Sequence, residues 1–171
     1  MIQIRKAVET DYESVLRILS QVQDMHVKWR PDIYKANKEL ISITGYMAAL
    51  TEETFYVSED GGKVVGVMGL EYRHIETPSH VTRDVVFIDS MAVDEPYRGM
   101  GVGHAFFDKA KELASEREAD AIELRVNAKN RQAYEMYVKC GFTEKSINME
   151  LTAGVPHRLP WGRRFLRTGA W

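Results

Sequence analysis

The chain has 171 residues, 44% hydrophobic and 28% charged, with a formal charge of -2. That balance suits one compact soluble domain with a buried core, and it excludes a global field drawing the protein to nucleic acid or a membrane surface. The single cysteine, Cys140, excludes an internal disulfide or thiol cluster, and no apolar run has the length of a signal peptide or a bilayer span, so a cytoplasmic protein is expected.

Ile2 and Ile4 alternate with Gln3 and Arg5, which predicts an opening strand. Thr10 and Glu13 have capping-box spacing, and Val15, Leu19 and Val22 share one helical face, so a helix is expected over residues 11–26. Pro31 interrupts it, and a second helix is expected over residues 35–50. Two β-rich runs, 54–57 and 63–72, flank Asp60-Gly61-Gly62, a hairpin signal. Residues 73–83, with Pro78 and several hydroxyl side chains, read as a loop, and residues 85–93 as a largely buried central strand.

After that strand, Arg98-Gly99-Met100-Gly101-Val102-Gly103 leads into a helix expected over 103–117. A strand over 121–126, a helix over 130–140 ended by Gly141, and a last strand over 146–151 complete the reading. The order β-α-α-β-β-β-α-β-α-β describes an α/β domain, a mixed sheet covered by helices, over residues 1–151.

The glycine-rich turn carries the most chemistry. Glycines let a backbone turn tightly and approach a ligand, and the first N–H groups of a helix lack intrahelical acceptors, so such a turn suits an anion. A plain structural turn is the competing reading. A nucleotide P-loop is excluded because His104-Ala105 follows Gly103 where Lys-Ser or Lys-Thr is required. A dinucleotide fingerprint fits poorly, because Phe106 or His104 occupies its third glycine and the next strand ends without an acid.

Arg98-x-x-Gly101-x-Gly103, placed after Met91-Ala92-Val93, resembles the coenzyme A pyrophosphate motif of the GNAT superfamily of N-acetyltransferases. The stretch Leu124-x-Val126-x-x-x-Asn130-x-x-Ala133-x-x-x-Tyr137-x-x-x-Gly141-Phe142 resembles that superfamily's next strand and helix. The resemblance is clear over residues 87–142 and implies the GNAT acyltransferase fold, with acetyl-CoA as cosubstrate. It implies that the backbone of Arg98, Gly99, Met100, Gly101, Val102, Gly103 and His104 holds the pyrophosphate. It further implies that Met91, Ala92 and Val93 pair with the pantetheine arm beside a bulge, with the Val93 N–H near the thioester carbonyl. Asn130 corresponds to a position near the pantetheine or the substrate, and Tyr137 to the tyrosine beside the thioester sulfur.

The chemistry expected is direct attack of a neutral amine on the acetyl carbonyl. A lysine-like amine has a pKa of about 10.4, so a base is useful near neutrality. Glu71, Asp89 and His74 are the candidates, with Glu71 preferred, and a structural role inside the sheet is the alternative for Asp89. The Tyr137 hydroxyl can protonate the departing thiolate and the Val93 N–H can stabilise the oxyanion. Trp29 and Tyr34 either wall the acceptor side or close the core. The five histidines show no metal-ligand spacing, so no metal is expected.

The acceptor is a small-molecule or peptide amine, with no membrane or nucleic-acid partner expected. The competing function is a non-catalytic acyl-CoA-binding regulatory module on the same fold, against which Tyr137 argues. The tail, residues 152–171, holds four arginines and two tryptophans without an acid. It either binds an anionic partner, packs on a second subunit of a homodimer, or is an extension outside the domain.

Overall fold

A computed structural model of the chain describes residues 2–152. The 152–171 tail therefore lies, beyond Thr152, outside the described residues. Five strands form one sheet in the order β1 (Gln3–Lys6), β2 (Phe55–Asp60), β3 (Lys63–Thr77), β4 (His80–Val93) and β5 (Ala121–Leu124). Every neighbouring pair is antiparallel except β4 and β5, which are parallel. The parallel pair is joined through helix α3 (Val102–Glu116), the crossover that such a pair requires.

Helices α1 (Tyr12–Trp29) and α2 (Ile43–Thr51) cover one face, where Val15, Ile18 and Tyr46 meet Phe55, Val57 and Val67. The opposite face is covered by α3, whose Phe106, Phe107, Ala110 and Leu113 recur at helical spacing and pack on Tyr56, Met68, Val86 and Ile88. Helix α4 (Arg131–Lys139) adds Met136 and Tyr137 to that core. At Gly66 a β-carbon would lie 2.9 Å from Phe106 and 3.0 Å from Val102, so the missing side chain is what lets α3 close onto β3.

The mixed sheet and its helical covers follow the sequence reading, and four local expectations do not. Residues 73–83 are no loop: β3 and β4 run on as a long hairpin, with Thr77 opposite His80 and only Pro78-Ser79 at the turn. Proline sits where no ladder donor is needed, and β-branched Ile75, Thr77, Val81 and Thr82 suit the pleat. The second helix starts at Ile43, because Ser42 caps it by accepting the Gly45 N–H at 3.1 Å. The Thr10–Glu13 capping box does not form. Asp11 holds the start of α1 instead, accepting the Val8 N–H at 2.9 Å and two Arg5 guanidinium bonds at 2.7 and 2.9 Å.

The last expected strand, 146–151, is also absent. Ile147, Met149 and Leu151 alternate as a strand would, but they are 74%, 87% and 77% exposed and no sheet edge pairs with them. Ion pairs hold it at either end instead, Lys145 just before it to Glu123 at 2.5 Å and Glu150 within it to Arg30 at 2.6 Å. No helix among the described residues is long and apolar enough to cross a membrane.

Candidate functional site

Strands β4 and β5 pair only from Val85–Ala121 to Ile88–Leu124, after which β4 continues alone to Val93. The parting coincides with a bulge: Gly69 faces Ser90 while Leu70 faces Ile88, so Asp89 is the extra residue on β4. The bulge thus lies ahead of Met91, Ala92 and Val93 rather than within them. Beyond it the Asp94 N–H donates to Val65 on β3 at 2.9 Å. Backbone alternation then turns the Val93 N–H and C=O away from β3, toward the side where β5 has ended. The bulge leaves an open strand edge on that side.

The connection from β4 to α3 is held from α1. Asp94, 2% exposed, accepts from Arg17 and from the Gln21 amide, each at 2.8 Å. Burial pushes its carboxyl up, but these hydrogen bonds, with the charges of Arg17 and Lys63, hold it below the ordinary carboxylate value. The Gln21 carbonyl oxygen accepts from the Glu95 N–H at 3.0 Å and from Arg98 at 3.2 Å, while Arg98 also donates to the Val93 carbonyl at 3.1 Å. The Arg98 side chain is therefore a brace across the turn.

Gly101 ends the turn at φ 87°, a left-handed conformation that β-carbons disfavour, and caps α3. The first bond of α3 is Ala105 N–H to Gly101 C=O at 3.1 Å. The N–H groups of Gly101, Val102, Gly103 and His104 have no acceptor among the described residues, and apart from the adjoining residues no described atom stands within 4 Å of where β-carbons on Gly99 and Gly101 would lie. Open donors at a helix start are able to bind a phosphate. Met100 is 62% exposed beside it.

A cleft of about 390 Å³ opens on the α1–α2 face of the sheet. It brings together Glu71 from β3, Asp89 from β4 and His26 from α1, among walls that include Leu19, Val22, Ile41 and Phe55. Glu71 is held by two bonds from Arg73, at 2.8 and 2.5 Å. Asp89, exposed at the bulge, makes no hydrogen bond or ion pair among the described residues, so the alternative of a structural bond inside the sheet is not what the structure shows. His26 stacks on Tyr34 at 4.9 Å and lies 5.8 Å from Trp29, and burial pushes its imidazole below the ordinary value. His74 is elsewhere, paired with Asp84 at 2.8 Å on the hairpin.

Tyr137 projects from α4 against Phe107 at 5.7 Å and Phe142 at 6.0 Å. Its hydroxyl has no partner among the described residues, and burial pushes its pKa up. Asn130 caps α4, accepting the Ala133 N–H at 3.2 Å.

The family model described as "Acetyltransferase (GNAT) family" matches residues 19–142, most of the described chain. The chain belongs to the GNAT family. An uncharacterised N-acetyltransferase of Methanocaldococcus jannaschii is 30% identical over 84% of this chain, which spans 62% of that protein's length. A mutant form of a Bacillus halodurans protein superposes with a TM-score of 0.81 at 32% identity, covering 88% of this chain and 98% of its own. An aminoglycoside N-acetyltransferase in complex with CoA shares the fold at a TM-score of 0.65 and 15% identity, covering 89% of this chain and 94% of its own.

Three features of this GNAT chain escaped the sequence. Arg17 and Gln21 are separated by one helical turn, which places both on one face of α1, but their partner Asp94 is far away in sequence. His26 carried no signal beyond its residue type. The pairing of Glu71 with Arg73 had a signal, since residues two apart on a strand share a face.

Proposed function

We propose that this chain transfers an acetyl group from acetyl-CoA to a primary amine by direct attack. The observation that carries the reading is the open edge of β4 after the Asp89 bulge, followed at once by unpaired amides at the start of α3. A strand edge suits an amide-bearing arm, and the donors suit a pyrophosphate. The thioester supplies an activated acetyl group, and the residues of this chain supply position and protons.

In this reading Met91, Ala92 and Val93 hold the pantetheine, while the backbone from Arg98 through Gly99, Met100, Gly101, Val102 and Gly103 to His104 holds the pyrophosphate. Arg98 acts mainly as the brace that shapes that turn. Asn130 positions the start of α4 next to the arm. Asp89 takes the proton of the attacking amine, with Glu71, held by Arg73, as its weaker companion. The Val93 N–H donates to the carbonyl oxygen as negative charge builds there.

Tyr137 delivers a proton to the departing sulfur. Its burial keeps the phenol protonated at neutral pH, and the same dry surroundings raise the basicity of a thiolate released beside it. Incubation with acetyl-CoA and a panel of amines tests the proposal, following free thiol and the mass of the acylated product together. Amine-dependent thiol release with matching N-acetyl product is expected. CoA binding without turnover on any amine would instead support a non-catalytic acyl-CoA-binding module.

A further inference from the structure

The lining of the cleft around Asp89 is unusually one-sided in its chemistry, and we infer that it takes an acceptor with a single positive charge on an apolar body. What happens to that amine rests on the acetyl-transfer reading above, whereas the binding claim rests on the lining alone.

Charge sets the number of ammonium groups. Among the cleft's lining residues only Glu71, Asp89 and His26 titrate. Arg73 already neutralises Glu71 through two hydrogen bonds. Burial of His26, stacked on Tyr34, disfavours its charged form. One uncompensated negative charge is left, on Asp89. A second ammonium would find no further counter-charge in this lining.

Polarity sets the body. Leu19, Val22, Leu40, Ile41, Ala49 and Phe55 give the wall its apolar part. The polar side chains are few, and two are already engaged: Gln23 donates to the Lys35 carbonyl at 2.7 Å and Thr54 to the Ala49 carbonyl at 3.3 Å. A sugar ring would strand most of its hydroxyls against hydrocarbon. The volume of about 390 Å³ lies near the low end of the range of roughly 300–1,000 Å³ usual for ligand pockets. It suits a short alkyl or aryl arm better than a multi-ring polycation.

The test uses the full chain and measures dissociation constants, independent of turnover, by calorimetry and ligand-detected NMR with and without CoA. The probes are n-propylamine, n-butylamine, n-pentylamine, n-hexylamine, 1-hexanol, spermidine and glucosamine. Each added methylene is expected to tighten binding about fourfold, the transfer gain of one buried CH₂. Hexanol, spermidine and glucosamine are expected to bind at least about tenfold more weakly than n-hexylamine, and Asp89→Asn to weaken n-hexylamine by about tenfold while keeping the methylene slope. A flat alkylamine series, tighter binding of spermidine or glucosamine, or no saturable n-hexylamine binding overturns the inference. CoA is titrated separately into the same protein. Failure there with an intact methylene slope would sink acetyl transfer and leave the cleft assignment standing.

Discussion

Gln21 on α1 donates its side-chain amide to the buried carboxylate of Asp94 at 2.8 Å, and its carbonyl oxygen reaches Arg98 at 3.2 Å. A helix on one face of the sheet thereby fixes the turn that leads into α3 on the other. Asp94→Asn should destabilise the fold by about 1–3 kcal/mol, since Arg17 then faces a neutral partner.

Asp94 is held below its ordinary value in the fold, so as pH falls the unfolded chain takes up its proton first. The contribution is complete above the unfolded value of about 3.9 and is lost as pH falls through the lower, folded one. The melting-temperature gap between wild type and Asp94→Asn should be full at pH 7 and shrink below about pH 4. A gap independent of pH would assign the effect to packing.

Asp89 and Glu71 share a cleft but differ in company, and the two variants should differ accordingly. Asp89→Asn should lower kcat/KM by about 10²-fold near neutrality, whereas Glu71→Gln should cost less than about tenfold. The Asp89→Asn deficit should shrink as pH approaches about 10.4, where a lysine-like amine sheds its proton unaided. Equal losses for both carboxylates, across the pH range, would contradict the assignment of the base.

The sequence made the central part of the fold legible because its signals there are local. Phe106, Phe107 and Ala110 announce α3 by spacing, and the glycines before it announce the turn. Asp89 could be named as a candidate from its alternation with Met91 and Val93, and Glu71 from its place at the end of its expected strand, yet choosing between them needed the bulge and Arg73, which are tertiary facts. The hairpin at Pro78 looks like a loop in the sequence because turn-forming residues dominate a short window, while the cross-strand pairing of His74 with Asp84 that offsets them is not local. The absent last strand shows the converse. The alternation of Ile147, Met149 and Leu151 is a strand pattern, but a strand needs a free edge, and β5 is only 4 residues long.

Tyr137→Phe keeps the ring that packs between Phe107 and Phe142 and removes only the unpartnered hydroxyl. CoA affinity and melting temperature should stay near wild type while kcat falls by about 10²–10⁴-fold, the usual range for a general acid. A more acidic thiol in the acyl donor should narrow the deficit, because a better leaving group needs less protonation. An unchanged kcat, with chemistry shown to limit turnover, would reduce the tyrosine to packing.

Calorimetric titration of CoA into wild type and Gly101→Val asks whether the open amides after Gly101 and the β4 edge left by β5 form a coenzyme A site. Wild type should give saturable, single-site heat. The variant should remain folded, with a cost of about 1–2 kcal/mol from forcing a side chain into a left-handed position, and should lose at least about tenfold in affinity as its amides turn away from the phosphates. Absence of heat from wild type at millimolar CoA, or equal affinity in the two proteins, would contradict the account.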